Sequence, residues 1–289
     1  MTDYNLELMR GVQERLRSAE NEGIAGVVRI DAPQAGPTLG ITLCTHGNEP
    51  SGLAVAHYLL DEIAGPQRLQ SGTLYVVLNN IRASDSYFSA TSIEEKRRAR
   101  FVDLNMNRLP EDLHKLDKDN RYEILRARQL YPIWQRFDVG FDVHSTTQDI
   151  EPMIISGGRD FHADLWRGFP IEVVLSNIDV VQIGLPAFGF YGKKEASVPV
   201  FEIEAGSHEN PASFDRAIIC ARALLENLGM VPRGGPRNES TRVSRREYYI
   251  DGSIIFPNTS YQLDRVFKDF EYVRQGTVLA RGNGPDMTL

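Results

Sequence analysis

Leu39-Gly40-Ile41-Thr42-Leu43-Cys44-Thr45-His46-Gly47-Asn48-Glu49-Pro50-Ser51-Gly52 passes from an apolar segment through a polar one into a helical one. An apolar, β-branched run, read as a strand that takes in Cys44, gives way to a polar turn. The turn leads into Ser51–Ala64, which reads as a helix with Ser51 as its cap. Strand, turn and helix in that order are the unit of an α/β domain. The turn then sits at the carboxyl end of a strand, where such sheets build their active sites.

Outward from it the same texture repeats. Val27–Ile30, Leu74–Leu78, Val139–Val143, Met153–Ile155, Ile171–Leu175 and Val198–Ile203 are short apolar runs bounded by turn residues, which predict further strands, several buried on both faces. Leu6, Met9, Val12 and Leu16 share one side of an amphipathic helix in the first twenty residues. Asn120–Phe137 and Asn210–Leu228 have helical spacing. From about residue 232 the pattern changes: Pro232-Arg233-Gly234-Gly235-Pro236 reads as a linker, followed by strand and turn signals at Glu247–Phe256 and Gly276–Ala280. The expected organisation is a main α/β domain over 1–231 and a β-rich domain over 232–289.

The chain has 289 residues, 42% hydrophobic and 25% charged, enough to bury a core without disulfides. No apolar run reaches the roughly 18 residues of a membrane span, and the first residues carry no secretory signal, so no membrane partner is expected. Its two cysteines cannot form a disulfide framework or a cysteine metal cluster, and a reduced cytoplasm is the expected setting. A net charge of −7 has the wrong sign for nucleic acid, although a local cationic pocket could still suit an anionic substrate. The sequence leaves a homo-oligomer open.

Four segments carry chemistry. His46 and Glu49 lie three apart in the turn, close enough to reach one ion, and an imidazole with a carboxylate suits zinc. A polar loop with His46 on the backbone and Glu49 helping to cap the helix is the structural alternative. Asp142-Val143-His144 brings a second histidine to a strand end, with Asp142 or a backbone carbonyl as the partner fixing its tautomer. In Phe201-Glu202-Ile203-Glu204-Ala205-Gly206, alternation puts Glu202 and Glu204 on one face. Glu204, nearer the strand's end, is the better candidate for a general base. Arg97–Pro110 is not obviously helical and reads as a cationic loop, in which an arginine fork and an amide could bind a carboxylate and a second arginine could hold an oxyanion.

Taken together, His46-Gly47-Asn48-Glu49-Pro50-Ser51-Gly52, Asn107-Arg108, Asp142-Val143-His144 and Glu204-Ala205-Gly206 resemble the succinylglutamate desuccinylase/aspartoacylase family, over roughly residues 38–210. The resemblance implies a zinc-carboxypeptidase-like α/β core with a central mixed β-sheet flanked by helices. It also implies one zinc per chain and hydrolysis of an amide bond in a small anionic N-acylated amino acid. In its terms His46, Glu49 and His144 hold the metal, Glu204 activates the water as general base, and Arg100 polarises the carbonyl. Asn107 and Arg108 then clamp the substrate carboxylate.

The sequence departs from the family's pattern in three places. Asn80-Ile81 stands where the family often has Asn-Pro. Lys193-Lys194 stands near the position of a further carboxylate-binding arginine, making Lys194 a candidate substrate contact that keeps the charge without the fork. The β-rich tail is expected to be short relative to the family and lacks a substrate-contacting tyrosine of aspartoacylases. The acyl group therefore stays open. A metallocarboxypeptidase acting on a short peptide would use the same residues, and a non-catalytic binding protein could keep the fold. A serine or cysteine hydrolase is disfavoured, since no Gly-x-Ser-x-Gly elbow is present. His57, His114, His162 and His208 read as structural or surface residues.

Overall fold

The apolar runs become strands because their alternate residues find two separate cores, one on each face of a single sheet. The computed structural model describes residues 5–64, 69–113, 118–156, 163–181, 184–191, 198–234 and 243–289. After helix α1 (Leu6–Ser18) come the short pair β1 (Glu20–Asn21) and β2 (Ile24–Ala25), then β3 (Val27–Asp31) and β4 (Gln34–Leu43). Helix α2 (Ser51–Tyr58), which runs on into a wider π turn at Leu59–Ile63, leads to β5 (Ser71–Leu78), α3 (Ile81–Ser89) and α4 (Ile93–Arg98). Then follow α5 (Tyr122–Trp134), β6 (Val139–Thr146), β7 (Met153–Ser156), β8 (Val173–Ser176), β9 (Val200–Ser207), α6 (Pro211–Asn227) and β10 (Arg246–Tyr249).

Among the described residues, eight strands form one mixed sheet in the order β10-β8-β7-β9-β6-β4-β5-β3. The inner strands β9, β6, β4 and β5 run parallel, while β3 pairs antiparallel with β5 and β7 antiparallel with β9. Between the parallel strands β4 and β5 the chain crosses over through α2. One face is covered by α1, α2 and α6, with Met9, Leu16, Leu53, Phe214 and Leu224 packed on Leu43, Phe141, Phe201 and Ile203. The other carries α5, whose Ile124, Leu130 and Trp134 pack with Tyr75, Phe137 and Tyr191.

Several sequence boundaries move. Pro50, without a side-chain cap bond, precedes α2, and the Ser51 hydroxyl is buried without a partner among the described residues, so Ser51 is the first helical residue rather than the cap. Asn210 does cap α6, its Oδ1 accepting from the Ala212 N–H. The Arg97–Pro110 stretch begins inside α4 and holds one tight helical turn at Met106–Arg108, with irregular backbone between. Cys44 lies just beyond β4 rather than within it, in the left-handed region at φ 48, where the chain turns sharply into the polar loop.

The chain separates into two compact units, Met1–Ile250 and Asp251–Leu289. The division falls beyond the 231/232 position expected from sequence because β10 pairs parallel with β8, Arg246 facing Val173, and is an edge strand of the large sheet. Of the linker stretch, Gly235 and Pro236 lie outside the described residues. The second unit holds a three-stranded antiparallel sheet of β11 (Gln262–Leu263), β12 (Val278–Arg281) and β13 (Met287–Thr288). Tyr261, buried there, donates its hydroxyl to the Pro285 carbonyl at 2.9 Å. Among the described residues no helix is long and apolar enough to cross a membrane.

Candidate active site

Parallel register places the chemistry. Thr42 on β4 faces Asp142 on β6, Asp142 faces Glu202 on β9, and one step further along His144 faces Glu204. Alternation sends all of these to one face, while Phe141, Val143, Phe201 and Ile203 go to the core on the other. The polar row therefore ends at the carboxyl edge of β4, β6 and β9, where the loop after β4 turns over it.

His46, Glu49 and His144 come together there, their ligand atoms within 4.8 Å of one another, and all three are buried. His46 Nδ1 lies 2.7 Å from Glu49 Oε1, and His144 Nδ1 lies 2.7 Å from Glu49 Oε2. The opposite ring nitrogen of His46 is hydrogen-bonded elsewhere. Asn105 Oδ1 accepts the Asn107 backbone N–H at 2.8 Å, which identifies that atom as the oxygen, and His46 Nε2 lies 2.9 Å from it. His46 must therefore carry its proton on Nε2, leaving the Nδ1 lone pair turned toward Glu49. His144 Nε2 lies 3.1 Å from Asp142 Oδ2 and 3.4 Å from Glu202 Oε2, beside two carboxylates but without a well-formed hydrogen bond among the described residues. A carboxylate gripped by two imidazole nitrogens calls for positive charge among them, a proton on His144 or a metal cation in its place.

Charge follows the geometry. Burial alone would raise the Glu49 carboxyl, but His46 and His144 hold it well below the usual range. Burial alone would lower His144, but Asp142, Glu49 and Glu202 outweigh that and raise it. His46 is lowered, because burial outweighs the pull of Glu49. Two imidazoles and an ionised carboxylate, with His46 oriented through its far nitrogen and Asp142 beside that of His144, are a donor set that fits zinc with a position left for solvent.

The other sequence candidates surround this centre. Arg100 donates from a terminal nitrogen to Glu49 Oε1 at 3.0 Å and is partly exposed. Glu204 is half-buried, with its Oε2 buried and without a hydrogen-bond partner among the described residues. Burial, reinforced by Glu49, raises its carboxyl well above the ordinary value. Asn107 is buried, and its Oδ1 accepts the Ala187 N–H at 3.2 Å, while exposed Arg108 donates to the Asn107 carbonyl at 2.7 Å. Burial lowers the Arg108 guanidinium, against the opposite pull of Glu202. Lys194, His114 and His162 lie outside the described residues. His57, read as structural or surface, pairs with Asp61 at 2.6 Å.

The fold adds residues that sequence reading missed. Asn105 orients His46 from 59 positions away. Glu123 on α5, fully buried, accepts the backbone N–H groups of Val102, Asp103 and Leu104 and thereby shapes the loop that carries Arg100, Asn105 and Arg108. Its local signal was a charged residue on a helix face otherwise lined by Ile124 and Ala127. Below His144, the Thr45 hydroxyl donates to Asp142 and accepts from Asn79, locking the carboxylate that faces the imidazole. His208, read as structural or surface, pairs its Nδ1 with Ser145 Oγ at 2.8 Å, beside His144.

Gly47 is required by a close approach. A Cβ there would run into the backbone of Ala83 and Ala99, and its N–H donates to the Arg100 carbonyl at 2.9 Å. Only glycine lets the loop after β4 lie against the arginine loop.

Residues 35–225 match the family model described as the succinylglutamate desuccinylase/aspartoacylase catalytic domain. Among solved structures, a succinylglutamate desuccinylase/aspartoacylase from Rhodobacter sphaeroides superposes with TM-score 0.63 at 15% identity, covering 91% of this chain and 79% of that one. The succinylglutamate desuccinylase of Chromobacterium violaceum gives 0.61 at 17%, covering 94% and 86%. The product-bound ectoine utilization protein EutE (DoeB) of Ruegeria pomeroyi gives 0.55 at 16%, covering 91% and 79%. No curated protein matches the sequence. At such identities the solved structures speak for the shared fold.

Proposed function

The chain belongs to the succinylglutamate desuccinylase/aspartoacylase family, and from that premise we propose that it is a zinc-dependent hydrolase cleaving the amide bond of a small N-acylated amino acid. The observation that carries this reading is the convergence of both Nδ1 atoms on the buried Glu49 carboxylate, with His46 Nε2 held by Asn105 and His144 Nε2 beside Asp142. His46, Glu49 and His144 would hold the ion. When bound, zinc supplies Lewis acidity for the carbonyl and acidifies a water molecule.

The remaining work falls to the chain's own side chains. Glu204, beside His144 in register and with one oxygen free of hydrogen-bond partners among the described residues, takes the proton of the attacking water and returns it to the leaving nitrogen. Arg100 offsets negative charge growing on the carbonyl oxygen. Arg108, with Asn107, holds the substrate carboxylate, using the planar fork that lysine lacks. Asn105 and Asp142 keep the two imidazoles in the tautomer that leaves Nδ1 free for the ion.

The test is Glu204→Gln, which preserves shape and removes the base. The variant is expected to bind zinc as the unaltered protein does, read by metal analysis of the dialysed protein. Its turnover of acylated amino acids should fall about 10²–10⁴-fold, the usual contribution of a positioned acid–base group. Undiminished turnover would remove Glu204 from the mechanism, and failure of the unaltered protein to retain zinc would remove the metal.

A further inference from the structure

A cavity of about 460 Å³ lies beside the loop after β4, on the side of the sheet covered by α1, α2 and α6. Its polar part is built from the candidate site's own segments. Asn48, between His46 and Glu49, lines it, and so does His208, which holds Ser145 next to His144. Asn48 is 4% exposed, yet its Oδ1 is buried with no hydrogen-bond partner among the described residues, and His208 Nε2 is buried in the same condition. Buried polar atoms are normally satisfied, and two unsatisfied ones against one cavity point to a ligand with polar atoms at that end. The rest of the lining is mixed: Met9, Tyr87, Phe214 and Pro50 give apolar walls, and Lys96, Arg97 and Glu209 add charge. At the rim Leu6 and Ile93 stand 48% and 67% exposed, large apolar side chains without cover.

We propose that this cavity is the subsite for the acyl half of the substrate, and that it takes an acyl group with a branched or aromatic apolar body, larger than acetyl. The inference rests on the hydrolase reading above. Met106 and Leu109, which flank the Asn107-Arg108 pair, belong to the core on the α5 side, whereas Met9 and Phe214 of the cavity belong to the opposite core. A substrate held by its carboxylate at Arg108, with its amide over His46, Glu49 and His144, therefore directs its other half across the sheet edge toward Asn48 and His208. Pockets of roughly 300–1,000 Å³ hold drug-sized ligands, so an acetyl group would leave most of this one to water. With the carbonyl at Arg100, the amide N–H of such a substrate is a donor for Asn48 Oδ1, and an apolar body against Tyr87 and Phe214 continues the acyl group as hydrocarbon.

The experiment has two arms. In the first, the zinc-loaded protein is assayed on the acetyl, isovaleryl and phenylacetyl derivatives of one amino acid. kcat/KM is expected to rise at least about tenfold from acetyl to phenylacetyl, the scale on which an apolar pocket discriminates by size. Ile93→Trp, an exposed change that narrows the mouth, is expected to erase most of that ratio. In the second arm, binding of phenylacetamide to metal-free protein is followed by ligand-observed NMR, with binding expected for the unaltered protein and its loss in Ile93→Trp. Equal or better turnover of the acetyl derivative, or phenylacetamide binding untouched by Ile93→Trp, would overturn the subsite. Binding that is lost in Ile93→Trp, with no acylated amino acid hydrolysed, would instead overturn the hydrolase reading and support the cavity as a site for such groups.

Discussion

Replacing Glu123 by glutamine tests whether a carboxylate outside the reacting set holds the arginine loop in place. Glu123 Oε1 accepts the Val102 N–H at 2.6 Å and Asn80 Nδ2 at 3.0 Å, while Oε2 accepts the Asp103 and Leu104 N–H groups at 3.0 and 2.9 Å. All four partners donate. A glutamine fills the same volume, but whichever way it turns, its NH₂ meets two donors. Hydrogen bonds to a charged acceptor are worth roughly 1.5–3 kcal/mol each, so two losses come to about 3–6 kcal/mol. Val102 and Asp103 are exposed, and water can recover part of the loss, which sets the expectation near the lower end. At about 2–4 °C per kcal/mol for a domain of this size, Tm should fall by about 6–12 °C in a thermal melt. The freed loop contains Arg100 and Arg108, so limited trypsin digestion of the native variant should cut there where the unaltered protein resists. Turnover should also fall, because Arg100, Asn105 and Arg108 lose their common support. A Tm within about 2 °C of the original, with unchanged trypsin resistance, would refute the reasoning.

Gly47→Ala places a methyl group against the Ala83 and Ala99 backbone, which cannot yield as a side-chain tip can, so a destabilisation of about 2–4 kcal/mol in denaturant titration is expected. Burial pushes the Cys44 thiol up to about 12 and raises Cys220 as well, so a disulfide reagent at pH 8 should label neither in the native protein and both after unfolding. Burial first, with Asp142 and Glu49 adding, raises Glu202 to about 7 from its ordinary 4.5. A carboxyl raised on folding contributes stability that is fully present below about pH 4.5 and is lost as the pH climbs through about 7. Metal-free Glu202→Gln should therefore lose less Tm between pH 5 and 8 than the metal-free parent, and identical losses would discount this group.

What sequence reading reached, and what it missed, divides by the range of the interaction. Strand ends announce themselves within a few residues, through an apolar run, a polar break and a ligand-type side chain, and so His46, Glu49, His144 and Glu204 were all visible. Alternation alone put Glu202 and Glu204 on one face, as the register with Asp142 and His144 shows. Cys44 reads as part of the strand because it is apolar, although its positive φ comes from the turn that follows. β10 was read into the tail because its partner, β8, lies 73 residues back at the Arg246–Val173 pairing, and no local pattern encodes that choice. Asn105 and His208 were missed for the same reason. An asparagine in a loop and a histidine after a strand acquire roles only when the fold brings His46 and Ser145 to them.

The long-range contacts also show why the loop after β4 and the arginine loop must be treated as one unit. The Gly47 N–H is bonded to the Arg100 carbonyl, the Arg100 side chain returns to Glu49, and His46 reaches Asn105 in the same loop. Three contacts of different chemistry thus join two segments some fifty residues apart, and Glu123 fixes the second from beneath. Displacing that loop would disturb the tautomer of His46 and the charge beside Glu49 together, although neither side chain belongs to it. Neighbours joined in one network do not contribute additively. The donor set is accordingly a property of both loops at once, and metal affinity should respond to changes in residues that never touch the ion.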